Sequence, residues 1–218
     1  MTYEAVKNNP AVKTYIEMAD KSLAALGYTE HSFAHVGLVA QRAGDILATM
    51  GAEPRQVELV KIAAHLHDIG NLVNRSEHSQ SGAVMAFRLL ENMGFSPLET
   101  AEICTAIGNH DEGTGVPVSP LAAALILADK SDVRRSRVRN TAPLTFDIHD
   151  RVNWSVTKTD LVISPDKTQI RLHLTIDTAL SAIMDYFEIF LGRMKLCRRA
   201  AESLGLVFGL TINGQDLL

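Results

Sequence analysis

The sequence predicts a mainly α-helical protein: a helical bundle with a small antiparallel β appendage near its C-terminus. Three observations carry this. From residue 9 to residue 130 the apolar residues recur three and four apart, the period of helices with one buried stripe. From residue 152 the composition turns to Val, Ile, Thr and Trp, and residues 169–176 alternate with period two. Hydrophobic residues make up 46% of a 218-residue chain, enough for one large domain or one domain with an appendage. The expected division is a helical domain over residues 1–145. Residues 146–218 then form a β-hairpin, a long helix and a short strand packed on it.

The first long helix opens at Asn9-Pro10, with Asn as cap and Pro at the first helical position. Val12, Ile16, Ala19, Leu23 and Leu26 make its stripe, and Gly27 ends it. The second helix spans about Thr29 to Met50, with Val36, Val39, Ala43, Ile46 and Leu47 on its buried face. The third starts at Glu53-Pro54 and carries Val57, Val60, Ile62, Ala64 and Leu66 into a His-Asp pair. A polar loop follows, and His78 opens the next helix, which runs to about Met93. Ser96-Pro97-Leu98-Glu99 has the form of a capping box, so another helix runs from there to Asn109. Ser119-Pro120 caps a helix that is nearly all apolar and then turns basic at Arg134, Arg135, Arg137 and Arg139. Beyond it, Ile170, Leu172, Leu174 and Ile176 alternate with polar residues as in a half-buried strand. Ser164-Pro165-Asp166-Lys167 supplies the turn before it. A long helix at about Thr178–Leu204 and a strand near Leu206–Ile212 complete the chain.

The net charge of −4 offers no broad basic surface, so nucleic acid is not an expected main partner. The two cysteines, Cys104 and Cys197, lie in apolar runs and read as buried thiols rather than a disulfide framework. No apolar stretch reaches membrane-spanning length, and the polar N-terminus does not read as a signal peptide, so a cytoplasmic location is expected. The oligomeric state is left open, a homo-oligomer included.

The chemistry centres on Ala63-Ala64-His65-Leu66-His67-Asp68-Ile69-Gly70. A neighbouring imidazole and carboxylate can serve one metal ion, and the second carboxylate oxygen can reach another. Gly70 is expected to let the backbone turn sharply. His35 precedes this stretch, and His78, His110 and Asp129 follow it. An Asp inside an apolar helix is expensive to bury unpaired. Such a set of imidazoles and carboxylates suits iron, manganese or zinc better than magnesium.

The ordered pattern resembles the HD superfamily of metal-dependent phosphohydrolases. It is carried by His35-Val36-Gly37-Leu38-Val39-Ala40, His65 to Gly70, His78-Ser79-Gln80-Ser81-Gly82-Ala83, Asn109-His110-Asp111-Glu112 and Leu125-Ile126-Leu127-Ala128-Asp129-Lys130. The resemblance implies that His35, His67, Asp68 and Asp129 form a core metal set. It also implies that His78 and His110 extend the set to a second ion. Asn71 stands where many members carry Lys, and Gly115-Val116-Pro117 stands where the cyclic di-nucleotide branch carries Gly-Tyr-Pro.

Lys130, Arg134 and Arg137 are spaced four and three apart, as on one helix face beside Asp129. They are expected either to grip a substrate phosphate or to form a solvated helix end. His31, one turn before His35, is a further substrate-contact candidate, with Asn71 and Arg75 as weaker ones. His65 rotates away from His67 and reads as structural; His149 and His173 read as uninvolved.

The expected function is therefore a metal-dependent phosphohydrolase acting on a small phosphate ester or nucleotide. Metal-bound hydroxide would be the nucleophile, Asp68 the bridging and catalytic carboxylate, and two ions, iron or manganese first and zinc next, the cofactors. Three alternatives stand beside it: a mixed-valent diiron oxygenase of the same superfamily, a non-catalytic metal-stabilised ligand-binding module, and a nuclease or cyclic-nucleotide enzyme.

Overall fold

The computed structural model describes residues 1–140 and 147–218, so the expected domain boundary at 145/146 lies outside the described residues. The helices are α1 (Tyr3–Lys7), α2 (Pro10–Ala25), α3 (Phe33–Thr49), α4 (Pro54–Leu66), α5 (His78–Asn92), α6 (Pro97–Gly108), α7 (Pro120–Lys130), α8 (Ile148–Ser155) and α9 (Ile183–Ser203). The strands are β1 (Val156–Ile163), β2 (Gln169–Ile176), β3 (Val207–Ile212) and β4 (Gln215–Asp216). Among the described residues, no helix is long and apolar enough to cross a membrane.

The helix starts follow the sequence closely. Asn9 caps α2 by accepting from the N–H groups of Ala11 and Val12, and Ser96 and Glu99 close a full capping box on α6. Two starts differ. Residues 29–32 are not helical; α3 begins at Phe33, where Ser32 accepts from the Ala34 N–H. The all-apolar helix ends at Lys130, and the basic segment beyond it leaves the helical path: Arg134 is extended and residues 135–137 form one tight 3₁₀ turn.

The bundle is built around α7. Leu121 to Ala128 are all 3% exposed or less, because α3, α4, α6 and α9 enclose the helix. A helix apolar on every side has no other stable place than a core. Each fully buried Leu or Ile contributes about 1.5–3 kcal/mol of transfer free energy. What matters for function is where α7 ends: Asp129 and Lys130 emerge from this core as its last two residues.

The C-terminal sheet has the order β1-β2-β3-β4. Ile170, Leu172, Leu174 and Ile176 are buried on one face of β2, as their alternation predicts. The sheet is mixed rather than antiparallel throughout. β1 and β2 form the expected hairpin, but β3 lies parallel to β2. The cause is α9: a 21-residue helix between the two strands carries the chain back to its starting end. Residues 152–155, read as strand, belong to α8.

Candidate metal centre

The two histidines that open the set come from different elements. His35 lies in the first turn of α3, and His67 is the C-cap of α4. Asp68 follows at once, and residues 69–72 form a 3₁₀ turn packed on the start of α5. Gly70 is required there, though not for an unusual dihedral. A Cβ at this position would stand 1.9 Å from the His78 carbonyl oxygen and 2.5 Å from the Gly82 nitrogen. The absent side chain lets α5 approach and seats His78 beside Asp68. Glu77, in the left-handed region at φ 56°, reverses the chain just before His78. His110 follows the C-cap residue of α6, and Asp129 ends α7.

The donor atoms converge. His35 Nε2 lies 3.3 Å from His67 Nε2, 3.5 Å from Asp68 Oδ2 and 3.4 Å from Asp129 Oδ1. His67 Nε2 lies 3.2 Å from Asp68 Oδ2 and 3.6 Å from Asp129 Oδ1. On the other side, His78 Nε2 lies 3.2 Å from His110 Nε2 and 3.6 Å from Asp68 Oδ1. Donors that share one ion at about 2.1 Å stand about 3.0–3.5 Å apart, so these spacings fit metal coordination. Asp68 faces one histidine pair with each oxygen.

The other ring nitrogens decide the tautomers. His67 Nδ1 contacts the Ala64 carbonyl at 2.7 Å, His78 Nδ1 that of Arg75 at 3.1 Å, and His110 Nδ1 that of Ile107 at 2.6 Å. A carbonyl only accepts, so each of these Nδ1 atoms carries a proton and each Nε2 is turned to the centre, where it offers a lone pair whenever the imidazole is neutral. His35 Nδ1 meets Asp132 Oδ2 at 2.7 Å to the same effect. Two Nε2 lone pairs face each other at 3.2 Å in the His78–His110 pair, and Asp68 Oδ2 is buried with no hydrogen-bond partner among the described residues. A cation between them satisfies all of these groups; the residues present could hold metal.

The electrostatics separate the two pairs. Burial alone pushes His67 down, but the carboxylates of Asp68 and Asp129 outweigh it and raise its pKa to about 10. His35 is likewise raised, with Asp129, Asp132 and Asp68 overcoming burial and Arg137. Burial holds His110 well below its ordinary value, reinforced by His67 and Lys130, and lowers His78. Burial would raise Asp68 and Asp129; neighbouring imidazoles hold Asp68 low, and chiefly Lys130 holds Asp129 low.

The cations read as one stripe in the sequence are in three different situations. Lys130 Nζ bridges Asp129 Oδ2 and Glu112 Oε2, both at 2.7 Å, and so aims the other Asp129 oxygen at the histidines. Arg137 is buried, donates to the backbone oxygens of Asp132 and Glu30, and lines the cleft at the donors. Arg134 is tied to Asp132 and Glu30 and is not among the residues lining that cleft. The shared helix face is lost because α7 stops at Lys130. His31 does line the cleft, its ring 5.4 Å from that of His35. Asn71 donates to Asp68 Oδ1 at 3.0 Å and fixes the carboxylate's rotation.

Asp132, one turn past Asp129, is expected from the sequence to pair with the basic stripe rather than touch metal; it does pair with Arg134 and Arg137, and it also holds His35, which the sequence does not suggest. One residue is missed by the sequence altogether. Arg193 of α9 lines the cleft from the C-terminal appendage, with Nε 3.1 Å from Glu112 Oε1 and its guanidinium 4.5 Å above the Phe190 ring. No local motif marks Arg193. The small polar hollow at the donors, about 20 Å³, opens toward a chamber of about 440 Å³. His31, Arg75, Arg137 and Arg193 line both. His149, read as uninvolved, lines the larger one, whereas His173 lies on β2.

Residues 30–134 match the HD domain family. The chain is 27% identical over 210 residues to an uncharacterized protein of Methanocaldococcus jannaschii, covering 85% of this chain and 80% of that one. It also resembles the crystal structure of a predicted HD superfamily hydrolase from an uncultured Thermotogales bacterium. That likeness has a TM-score of 0.46 and 26% identity over 57% of this chain and 67% of the other.

Proposed function

We propose, on the premise that residues 30–134 make this chain a member of the HD superfamily, that it is a binuclear metal-dependent phosphohydrolase acting on a small phosphate monoester. The observation that carries the reading is the placement of Asp68, one oxygen toward His35 and His67 and the other toward His78. In this reading His35, His67, Asp68 and Asp129 hold one ion, and His78, His110 and Asp68 hold the second. Iron or manganese fits this mixed N/O set best, with zinc next. Two ions so held supply a water acidic enough to act as hydroxide near neutral pH and a positive clamp on phosphate oxygens.

The chain's own residues do the rest. Asp132 fixes the tautomer of His35, and Lys130 and Asn71 fix the two carboxylates. Arg75, Arg137 and Arg193 ring the entrance to the cluster, where a phosphate's remaining charge would lie. The chamber beyond takes the organic part of the ester. Tyr28, 44% exposed, offers an aromatic ring there, and Asp147 and Asp150 offer acceptors for hydroxyl groups. A nucleoside or sugar phosphate meets both requirements. The cationic ring favours an anionic substrate and so supports a phosphate ester.

The test is phosphate release by metal-loaded protein from a panel of nucleoside and sugar monophosphates, with oxygen uptake followed in parallel. Release with a clear preference among the esters, and no oxygen uptake, is the expected outcome. Oxygen uptake without phosphate release overturns the reading.

A further inference from the structure

His67 and His65 are two residues apart on α4 and lie on opposite sides of it. His67 has a partner for each ring nitrogen. His65 is 2% exposed, and among the described residues neither of its ring nitrogens has a hydrogen-bond partner. Leaving a buried polar group unmatched costs about 1–3 kcal/mol, so an imidazole in this position calls for an explanation.

His65 lines a hollow of about 560 Å³ on the far side of the α3–α4 layer from the metal centre. That is within the volume range of small-molecule sites. Tyr3 of α1 stands edge-on to the imidazole, with ring centroids 5.6 Å apart, and Phe33 of α3 adds a second ring. Lys7, Lys13 and Lys61 also line the hollow, against one carboxylate, that of Glu17.

Two glycines of α3 shape it. At Gly44 a Cβ would stand 2.4 Å from Lys61 Cε, so the lysine stem lies in the recess that this glycine leaves. At Gly37 a Cβ would meet nothing within 4 Å. A mid-helix glycine costs about 1 kcal/mol relative to alanine. Packing does not require this one, and its bare backbone lines the hollow.

We propose that this hollow is a second ligand site, separate from the metal centre, that takes a small organic anion. The ligand's uncharged polar end, an amide, hydroxyl or base edge, reaches His65, which offers one donor and one acceptor. Its ring packs against Tyr3 and Phe33. Its phosphate or carboxylate meets the three lysines. The occupant would touch both helices that carry His35 and His67, on the faces turned away from those ligands.

The probe is a phosphonate analogue of adenosine monophosphate, whose P–C bond a phosphohydrolase cannot cut. It is titrated into the full metal-loaded chain while the His65 ring resonances are followed by NMR, assigned by their loss in His65→Gln. The expected result is a saturable shift of the His65 signals. Lys61→Ala weakens it by about tenfold, the size of one charge-assisted contact. Gly37→Leu, which fills the hollow from its floor, abolishes it, and Arg75→Ala in the metal cleft leaves it in place. Lys13→Ala, on a different helix, repeats the lysine test if Lys61→Ala disturbs the α3–α4 packing. His65 signals unmoved at millimolar probe overturn the proposal. So does a shift that survives both Lys61→Ala and Gly37→Leu, or one that disappears with Arg75→Ala. The assay does not read turnover, so it stands or falls independently of the phosphohydrolase reading.

Discussion

The two halves of the candidate metal cluster have the same kind of imidazole and different surroundings. His35 and His67 sit among three carboxylates, those of Asp68, Asp129 and Asp132. His78 meets that half through Asp68, and the next carboxylate, Asp111, is 4.0 Å from His78 Nε2; His110 packs edge-on against His67, with ring centroids 4.9 Å apart. The three carboxylates of the first half favour protonated imidazoles, which is why His35 and His67 are raised. The second half keeps its imidazoles neutral, lowered chiefly by burial. One half attracts a cation by charge; the other presents lone pairs and depends on Asp68 for charge. The two sites should therefore fill in order, with the carboxylate-rich one tighter.

The largest expected effect erases the comparison. Asp68→Ala removes the carboxylate whose oxygens face His35 and His67 on one side and His78 on the other, so both ions and all turnover should be lost. Elemental analysis together with phosphate release reads this directly. Retention of two ions per chain would show that Asp68 is not the link between the halves.

His110→Ala separates the halves. The first ion should stay, near one equivalent per chain, while turnover that needs two ions falls away. Loss of both ions would mean that the halves are one cooperative unit rather than a strong site and a weak one. Asp132→Asn acts on the first half alone and more mildly. It keeps a hydrogen-bonding partner for His35 Nδ1 but removes a charge. Changes of this kind typically cost about 10–100-fold in metal affinity. An equal loss at both sites would show that the charge asymmetry does not govern filling.

The candidate set, though not its charge asymmetry, was legible in the sequence. His35, the His67-Asp68 pair, His78, His110 and Asp129 stand out by their order, which resembles that of the HD superfamily, and by their places at helix ends or in an apolar run. The capping signals at Asn9 and Ser96 placed helix starts to the residue. What failed was continuity past Lys130. Three basic residues at helical spacing, Lys130, Arg134 and Arg137, read as one face, but α7 ends where its buried apolar run ends, and Arg134 and Arg137 turn back onto Asp132 and Glu30. Residues whose role depends on tertiary approach left no local trace. Arg193 reaches the cleft only because α9 packs on α7, and Gly70 is needed because of His78, eight residues later. The parallel pairing of β3 was likewise invisible, since alternation marks a strand but not its direction.

The smallest expected effect is a proton count. His67 is raised to about 10 in the metal-free protein, so near pH 7 it carries a proton that an incoming ion must displace. The first ion bound should therefore release about one proton or more, depending on His35. The second should release close to none from His78 and His110, which are already neutral at that pH. Calorimetric titration in two buffers of different ionisation enthalpy separates the two steps. Linkage gives the matching sign for stability. A folded-state pKa above the unfolded value of 6.5 contributes stability that is complete below pH 6.5 and is lost as pH rises toward 10. Metal-free protein should thus lose thermal stability over that window. Metal-loaded protein should lose less, because the ion has taken the proton's place among the carboxylates. Equal proton release in both steps would show that the two halves hold their imidazoles alike, and the difference drawn between them would be gone.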